Sequence, residues 1–271
     1  MAHTIRLFLI LFSFAAMPCQ AETRLDPELA TLFHNAHVEG SFVLIDGDRG
    51  ETILSDAAKS RQRFVPASTF KVLNALIASE TGVVEEEKEI FPWNGSPLPY
   101  KPWEHDMTLK EAMRVSHVPI FQIVARRIGL DRMREHVGKA GYGNGDIGQV
   151  VDRFWLDGPL VISALEKAEF MARLAHRTLP FSQQTQERVR RIMPTEEIGT
   201  ARLYGKTGWM DLQPADGQYV GWVGWYVGWI EDRNKMAAFA LNIQTRNPED
   251  VNIRKPLALE ALRHLGVVGT K

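Results

Sequence analysis

The side chains of Ser68 and Lys71 place a hydroxyl and an amine three positions apart, at the start of a predicted apolar helix. Residues at this spacing lie on one face of a helix, so the amine can act as a base toward the hydroxyl. Because the helix offers little polar surface, the amine is expected to be buried or to line a pocket, where desolvation lowers its pKa. The pair is a candidate for nucleophilic catalysis, although Ser-x-x-Lys on a solvated helix is usually only a cap and a surface lysine.

Three further short motifs follow along the chain: Ser116-His117-Val118, Tyr142-Gly143-Asn144 and Lys206-Thr207-Gly208. The last is predicted at the end of a strand, where glycine lets a ligand approach the backbone and lysine supplies a cation for a carboxylate. Each motif alone is common by chance, as a helix junction, a helix end or a strand-ending turn. The occurrence of all three together with the Ser68 motif, in this order, is not expected by chance.

Strands are predicted near both ends of the chain and helices between them. A hairpin is predicted over 41–45 and 51–54, a helix-rich region over about 66–195, strands over 201–206, 219–230 and 236–243, and a closing helix over 251–265. Thr108 with Glu111 and Ser163 with Glu166 match the capping box that begins a helix. The sheet is therefore expected to be assembled from distant segments, with a helical region inserted between them.

The first 21 residues are typical of a secretory signal peptide, with one charge at Arg6, an apolar run and small residues before position 22. The run is shorter than the roughly 20 apolar residues that span a bilayer. Cleavage after Ala21 removes Cys19, the only cysteine of the chain, so no thiol nucleophile, disulfide or cysteine metal site is expected. Residues 22–271 are predicted to form a single exported catalytic domain with no transmembrane segment.

The composition argues against several classes of partner. The 32 basic and 33 acidic residues are nearly balanced, which offers no general attraction for nucleic acid or for anionic membranes. His34 and His37 are spaced like metal ligands, but no His-Glu-x-x-His motif accompanies them, and no metal site is predicted. Trp222, Trp225 and Trp229 are interpreted as strand packing.

The four motifs resemble those of the class D β-lactamases, the oxacillinases, within the serine β-lactamase and penicillin-binding superfamily. The resemblance covers essentially all of the chain after residue 21. Class D is marked by Ser116-His117-Val118 where class A enzymes carry Ser-Asp-Asn, by Tyr142-Gly143-Asn144 and by Trp155. It implies a mixed α/β (α+β) fold of the β-lactamase/transpeptidase type. A central antiparallel sheet, from about 22–65 and 196–271, would be flanked by helices, with the active site against the helical region of about 66–195.

The resemblance also implies a mechanism. Ser68 would be the nucleophile that opens the β-lactam ring, and Lys71, carboxylated by carbon dioxide, would be the general base. Carbon dioxide or bicarbonate would be needed to carboxylate Lys71, and no separate cofactor is implied. Trp155 would donate its indole N–H to the carbamate. The apolar neighbours implied to keep the amine neutral are Phe70, Val118, Trp155 and Leu156.

Further roles follow from the same resemblance. Ser116 would relay a proton to the leaving nitrogen with Lys206 beside it, and the backbone amides of Ser68 and Trp209 would form the oxyanion hole. The implied substrate-binding residues are Thr207, Gly208, Val118, Trp103 and Arg254. Arg246 competes with Arg254 for the substrate carboxylate, and Trp103 either stacks on a substrate side chain or only packs.

Hydrolysis of penicillin-type antibiotics in the periplasm, with antibiotic resistance as its result, is the function that the resemblance implies. The alternatives are a β-lactam sensor that stays acylated and a penicillin-binding peptidase. Sensors of this type are tethered by transmembrane helices, and a peptidase is not expected to carry the Trp155 signature. The resemblance leaves open whether the protein is a monomer or a homodimer.

Overall fold

The computed structural model describes residues 22–84, 88–212, 221–233 and 235–269. The predicted signal peptide, the acidic run at 85–87 and the first two residues of the strand predicted over 219–230 lie outside the described residues.

The described residues form a seven-stranded sheet in the order β1-β3-β2-β11-β10-β9-β8 and two small two-stranded sheets, β4-β7 and β5-β6. The strands are β1 (Glu22–Leu25), β2 (Glu39–Asp46), β3 (Glu51–Leu54), β4 (Arg63–Phe64), β5 (Ile90–Phe91), β6 (Met107–Thr108), β7 (Ile162–Ser163), β8 (Thr195–Ile198), β9 (Ala201–Leu212), β10 (Gly221–Asp232) and β11 (Lys235–Thr245). Neighbouring strands of the large sheet are antiparallel, except that β1 pairs parallel with β3. The predicted central antiparallel sheet is confirmed with this one exception.

The helices are α1 (Pro27–Asn35), α2 (Lys71–Glu80), α3 (Leu109–Arg114), α4 (Val118–Ile128), α5 (Leu130–Ala140), α6 (Ala164–Ala175), α7 (Gln183–Ile192) and α8 (Arg254–His264). Both predicted capping boxes are present, at the starts of α3 and α6. Within the described ranges, none of the helices has the length and apolar character needed to cross a membrane.

The sheet separates two apolar cores because successive side chains of a strand point to opposite faces. On β10, Trp225 and Trp229 pack into the core shared with helices α2 to α7, while Tyr226 packs against α1 and α8 on the other face. Trp225 and Trp229 are both fully buried, which confirms that they serve strand packing. The larger core holds the helical region against the sheet.

One predicted boundary is wrong. The strand predicted to end at Lys206 continues as β9 to Leu212, so Lys206-Thr207-Gly208 lies in the middle of a strand rather than at its end. The reason is long-range pairing: Gly208 and Trp209 pair with Trp225 and Gly224 of β10. The motif is therefore held on a rigid element.

The segment that carries Ser68 begins as a short 3₁₀ turn over Ala67–Phe70 and continues as α2. Every residue of α2 from Lys71 to Ala78 is buried. The helix lies between α4 and α7 in the larger core. This burial fixes the orientation of the turn that precedes the helix.

Candidate active site

Ser68 and Lys71 lie within hydrogen-bond distance at the junction of the 3₁₀ turn and α2. The Lys71 amine is 2.7 Å from the Ser68 hydroxyl oxygen and 5.6 Å from the centre of the Phe121 ring. Burial, and secondarily the charge of Lys206, holds the pKa of Lys71 well below its ordinary value. A neutral amine in this place can accept the hydroxyl proton.

The backbone before Ser68 adopts an uncommon conformation. Ala67 has a φ of +49°, in the left-handed region that side chains with a Cβ rarely occupy. Ser116, between α3 and α4, has a φ of +59°. Such conformations cost about 1–3 kcal/mol each and persist where the surrounding structure enforces them. Both candidate catalytic serines are thus on or next to a strained turn.

Ser116 and Lys206 form a second hydroxyl–amine pair across the helical region and the sheet. The Lys206 amine donates to the Ser116 hydroxyl at 2.9 Å and to the Thr207 carbonyl at 2.8 Å. Burial lowers the pKa of Lys206 to about 7, with a contribution from the positive charge of Arg254. The pair can therefore gain or lose a proton near neutral pH.

A cavity of about 440 Å³ opens onto Ser68 and Ser116. This volume falls within the range of roughly 300–1,000 Å³ typical of small-molecule sites. Its polar lining comes from Ser68, Ser116, Thr207, Gly208 and Arg254. Its apolar lining includes Tyr100, Pro102, Trp103, Val115, Val118 and Trp209. The structure thus brings both serines, with Thr207 and Gly208 of the sheet motif, to one cavity, and Lys206 is connected to it through its hydrogen bond to Ser116.

The structure distinguishes between the two arginines that are candidates for binding the substrate carboxylate. Arg254, the first residue of α8, lines the cavity and donates through its guanidinium to the carbonyls of Gly208 and Val251. Burial lowers its pKa only to about 10, so it remains a cation at neutral pH. Arg246 is exposed and does not line the cavity. The geometry therefore favours Arg254 as the anion-binding group.

Arg254 reaches the cavity across Gly224 of β10. A Cβ built on Gly224 would lie 2.6 Å from the Cδ of Arg254, which is too close for an ordinary contact. A glycine at this position therefore makes room for the arginine side chain.

Trp103 packs against the wall of the cavity and also lines it. Its indole N–H donates to the Val115 carbonyl at 3.0 Å, and its ring lies 4.8 Å from Tyr100 and 4.9 Å from His117. Packing and a contact with substrate are therefore compatible roles for Trp103, because its side chain packs against neighbouring rings and still borders the cavity.

His117, the middle residue of the second motif, is buried and is the N-cap residue of α4. Its Nδ1 accepts the N–H of Ile120 at 3.1 Å, and its Nε2 lies 3.3 Å from the Trp103 carbonyl. Nδ1 as acceptor requires the hydrogen on Nε2, which then donates to that carbonyl. Burial lowers the pKa of His117 and keeps this neutral form.

Trp155 is fully buried beside Phe70, the residue before Lys71. The Trp155 and Phe70 rings stack with centres 5.3 Å apart, and Leu156 packs against the same core. Among the described residues, no acceptor is within reach of the buried Trp155 N–H. An unpaired buried donor costs about 1–3 kcal/mol, so this group is suited to an acceptor that the protein chain itself does not supply.

The Tyr142-Gly143-Asn144 motif connects the end of α5 to the loop after Trp155. The Asn144 side chain donates to the Pro159 carbonyl at 3.0 Å and accepts the Val161 N–H at 3.1 Å. Gly143 has a φ of +59°, and a Cβ there would lie 2.2 Å from the Val161 carbonyl oxygen. The motif therefore requires glycine and holds this loop in place.

Comparisons with known proteins agree on the family of this chain. Residues 40–263 match the penicillin-binding protein transpeptidase domain. The chain is 36% identical to β-lactamase OXA-10 of Pseudomonas aeruginosa over 86% of each chain. It is 35% identical to β-lactamase OXA-48 of Klebsiella pneumoniae, over 86% of this chain and 88% of that one. The chain belongs to the class D β-lactamases.

Solved class D β-lactamase structures share its fold. The enzyme FUS-1 (OXA-85) of Fusobacterium nucleatum superposes with a TM-score of 0.85 at 33% identity, over 91% of this chain and 100% of that one. The class D β-lactamase YbXI from Nostoc gives a TM-score of 0.81 at 38% identity, over 88% and 98%. The predicted mixed α/β fold with a central sheet flanked by helices is confirmed.

This class D β-lactamase contains a second buried amine beside Ser68 that sequence reasoning missed. Lys167, on α6, is fully buried and donates to the Thr69 hydroxyl at 2.8 Å. The available signal was its position in the helix: Ala164, Ala168 and Met171, at spacings of three, one and four, are all buried. A lysine that interrupts an apolar helix face was therefore visible in the sequence.

Proposed function

We propose that this protein hydrolyses the β-lactam amide bond of penicillin-type antibiotics through an acyl-enzyme on Ser68, and that it thereby confers antibiotic resistance. The observation that carries the proposal is the 2.7 Å contact between the Lys71 amine and the Ser68 hydroxyl, with Ser68 lining the cavity. Its class D relatives are named β-lactamases, which supports the same reaction.

In acylation, Ser68 Oγ attacks the lactam carbonyl carbon as its proton passes to the base at position 71. The negative charge that develops on the carbonyl oxygen is stabilised by the backbone N–H groups of Ser68 and Trp209, each worth about 3 kcal/mol in the transition state. The C–N bond then breaks, and Ser116 donates a proton to the leaving nitrogen. Lys206, hydrogen-bonded to Ser116, replaces that proton.

Substrate binding uses both the polar and the apolar lining of the cavity. Arg254, Thr207 and Gly208 on the cavity wall bind the carboxylate that penicillins carry next to the lactam nitrogen, and Lys206, hydrogen-bonded to Ser116, adds a positive charge. Val118, Trp103 and Tyr100 form an apolar wall for the acylamino side chain of the antibiotic. Charge and apolar contacts together orient the lactam carbonyl toward Ser68.

We also propose that Lys71 is carboxylated by carbon dioxide. A neutral amine is required, and burial supplies it. The Trp155 ring stacks on Phe70, which precedes Lys71, and its buried N–H has no acceptor in the described chain, which supports its role as a donor to the added carboxylate. A carbamate on Lys71 supplies the general base for both acylation and deacylation. Phe70, Val118 and Leu156 limit water around the amine, and no metal or separate cofactor takes part.

The domain and location are part of the same proposal. Residues 22–271 form one catalytic domain, exported to the periplasm after cleavage of the signal peptide at Ala21. The apolar run and small residues of the first 21 positions support export, and the relatives named above come from bacteria.

Replacement of the nucleophile tests this proposal. Ser68→Ala is expected to abolish hydrolysis of benzylpenicillin, measured by absorbance, and to remove the acyl adduct seen by protein mass. Ser96→Ala, at an exposed position far along the chain from the motif, serves as the matched control and is expected to retain full activity. Turnover by the Ser68→Ala protein would show that another residue is the nucleophile.

A further inference from the structure

Lys167 is a fully buried amine that the proposed reaction does not use. It donates to the hydroxyls of Thr69, at 2.8 Å, and Tyr142, and it lies 4.4 Å from the Tyr142 ring centre and 5.7 Å from that of Trp225. Within the described part of the chain, no carboxylate is hydrogen-bonded to it; the adjacent Glu166 bonds instead to Ser163 and Arg63. Burial of an amine among aromatic rings is unfavourable unless its N–H groups are used.

Lys167 is connected to the nucleophile Ser68 through its hydrogen bond to Thr69. Thr69 follows Ser68 directly, and its hydroxyl donates to the Pro66 carbonyl at 2.5 Å. Because a hydroxyl has one hydrogen, the Thr69 oxygen must accept from Lys167. The two hydrogen bonds in series close the turn in which Ala67 holds a φ of +49°. Lys167 therefore braces the turn that carries Ser68.

This turn packs directly on β9. A Cβ built on Gly208 would lie 3.1 Å from the Pro66 carbonyl oxygen and 3.1 Å from Cγ2 of Thr69. The next residue of β9 is Trp209, which with Ser68 supplies the two proposed oxyanion donors. The position of Thr69 against Gly208 therefore sets the separation between these donors.

We propose that Lys167 is a positioning residue for β-lactam hydrolysis, which holds the Ser68 turn against β9 through the Thr69 hydroxyl and so fixes the geometry of the oxyanion hole. This role rests on the proposed function. Burial lowers the pKa of Lys167, and the amine retains N–H donors in its neutral form as well. Acylation and deacylation both form an oxyanion, so both steps depend on this contact.

Three variants test the role with benzylpenicillin as the substrate: Lys167→Met, Lys167→Gln and, as the matched control, Lys139→Met at an exposed position of α5. Lys167→Met keeps an unbranched side chain, one atom shorter, and removes the donor. It is expected to lower the single-turnover acylation rate constant and kcat by about tenfold to a hundredfold, since small misplacements of reacting groups have effects of this size. Lys167→Gln retains an N–H donor and is expected to recover most of the rate, while Lys139→Met matches the unmodified protein.

Two readouts separate positioning from a general loss of structure. The melting temperature of Lys167→Met is expected to equal or exceed that of the unmodified protein, because an amine is no longer buried. The ¹³C NMR signal of a carbamate formed on Lys71 from labelled bicarbonate is expected to keep its intensity. A lower melting temperature with equal losses in the Met and Gln variants, or loss of the carbamate signal, would overturn the positioning role.

A double-mutant cycle with Thr69→Val tests the route of the effect. If Lys167 acts through the Thr69 hydroxyl, the double variant loses no more acylation rate than Thr69→Val alone. Additive losses, or an unchanged rate in Lys167→Met, would contradict the inference. If the unmodified protein itself is not acylated by benzylpenicillin, the proposed function fails, and the role assigned to Lys167 fails with it.

Discussion

Two buried lysines near the cavity, Lys71 and Lys206, differ in pKa. Each is paired with a serine hydroxyl, Lys71 with Ser68 at 2.7 Å and Lys206 with Ser116 at 2.9 Å. The pKa of Lys71 is held well below its ordinary value, so the amine is available as a base and as a nucleophile toward carbon dioxide. The pKa of Lys206 lies at about 7, so it is a cation below that pH and attracts a carboxylate.

The proposed carboxylation of Lys71 predicts how activity depends on pH. Carboxylation consumes a neutral amine and releases a proton, so falling pH reverses it. We expect kcat for benzylpenicillin to fall on the acid side in bicarbonate-free buffer, and added bicarbonate to restore it. The measurement is the initial rate against pH with and without bicarbonate. A rate that does not respond to bicarbonate at any pH would rule out the carbamate.

The assignment of the carboxylate-binding arginine gives a second prediction for a single residue. Arg254→Ala is expected to raise KM for benzylpenicillin by about tenfold or more, because hydrogen bonds to charged groups contribute roughly 1.5–3 kcal/mol. The effect on kcat is expected to be smaller, since the carboxylate is held in substrate and transition state alike. Arg246→Ala is the matched control, and KM and kcat of both variants are measured by steady-state kinetics. A raised KM in Arg246→Ala with Arg254→Ala unchanged would reverse the assignment.

At the scale of single elements, α6 carries Lys167 and its start is defined by a capping box. The Ser163 hydroxyl accepts the Glu166 N–H at 3.2 Å, and the Glu166 carboxylate accepts the Ser163 N–H at 2.9 Å. Ser163→Ala is expected to lower the free energy of unfolding by about 1 kcal/mol, a usual cost of losing an N-cap. Urea unfolding measures this cost, and the exposed Ser96→Ala is the control. An unchanged midpoint would show that β4–β7 pairing holds the start of α6 without the cap.

Some elements could be predicted from nearby residues, whereas others depend on pairing with distant strands and could not. The hairpin β2–β3 and the starts of α3 and α6 follow from turn residues and capping boxes near them in sequence. The parallel pairing of Glu22–Leu25 with β3 was not predicted, because no local pattern encodes a partner about 29 residues away. The same reason explains why β9 passes beyond Lys206: its register is set by β10.

At the scale of the whole molecule, the site lies where the helical region meets the sheet. The helical region supplies Ser68, Lys71 and Ser116, the sheet supplies Lys206 to Trp209, and α8 on the far face of the sheet supplies Arg254 across Gly224. The motifs could be found in the sequence, but which arginine reaches the cavity and what Lys167 contacts depend on packing. The proposed catalysis therefore depends on the interface between the helical region and the sheet.

The proposed reaction requires that a Ser68 acyl-enzyme forms and is rapidly hydrolysed. The most direct test mixes the purified protein, lacking residues 1–21, with excess oxacillin and bicarbonate, and follows ring opening by absorbance and protein mass in parallel. We expect many turnovers per protein molecule with little standing adduct. A single stoichiometric adduct on Ser68 without turnover would contradict it and indicate a β-lactam-binding protein instead.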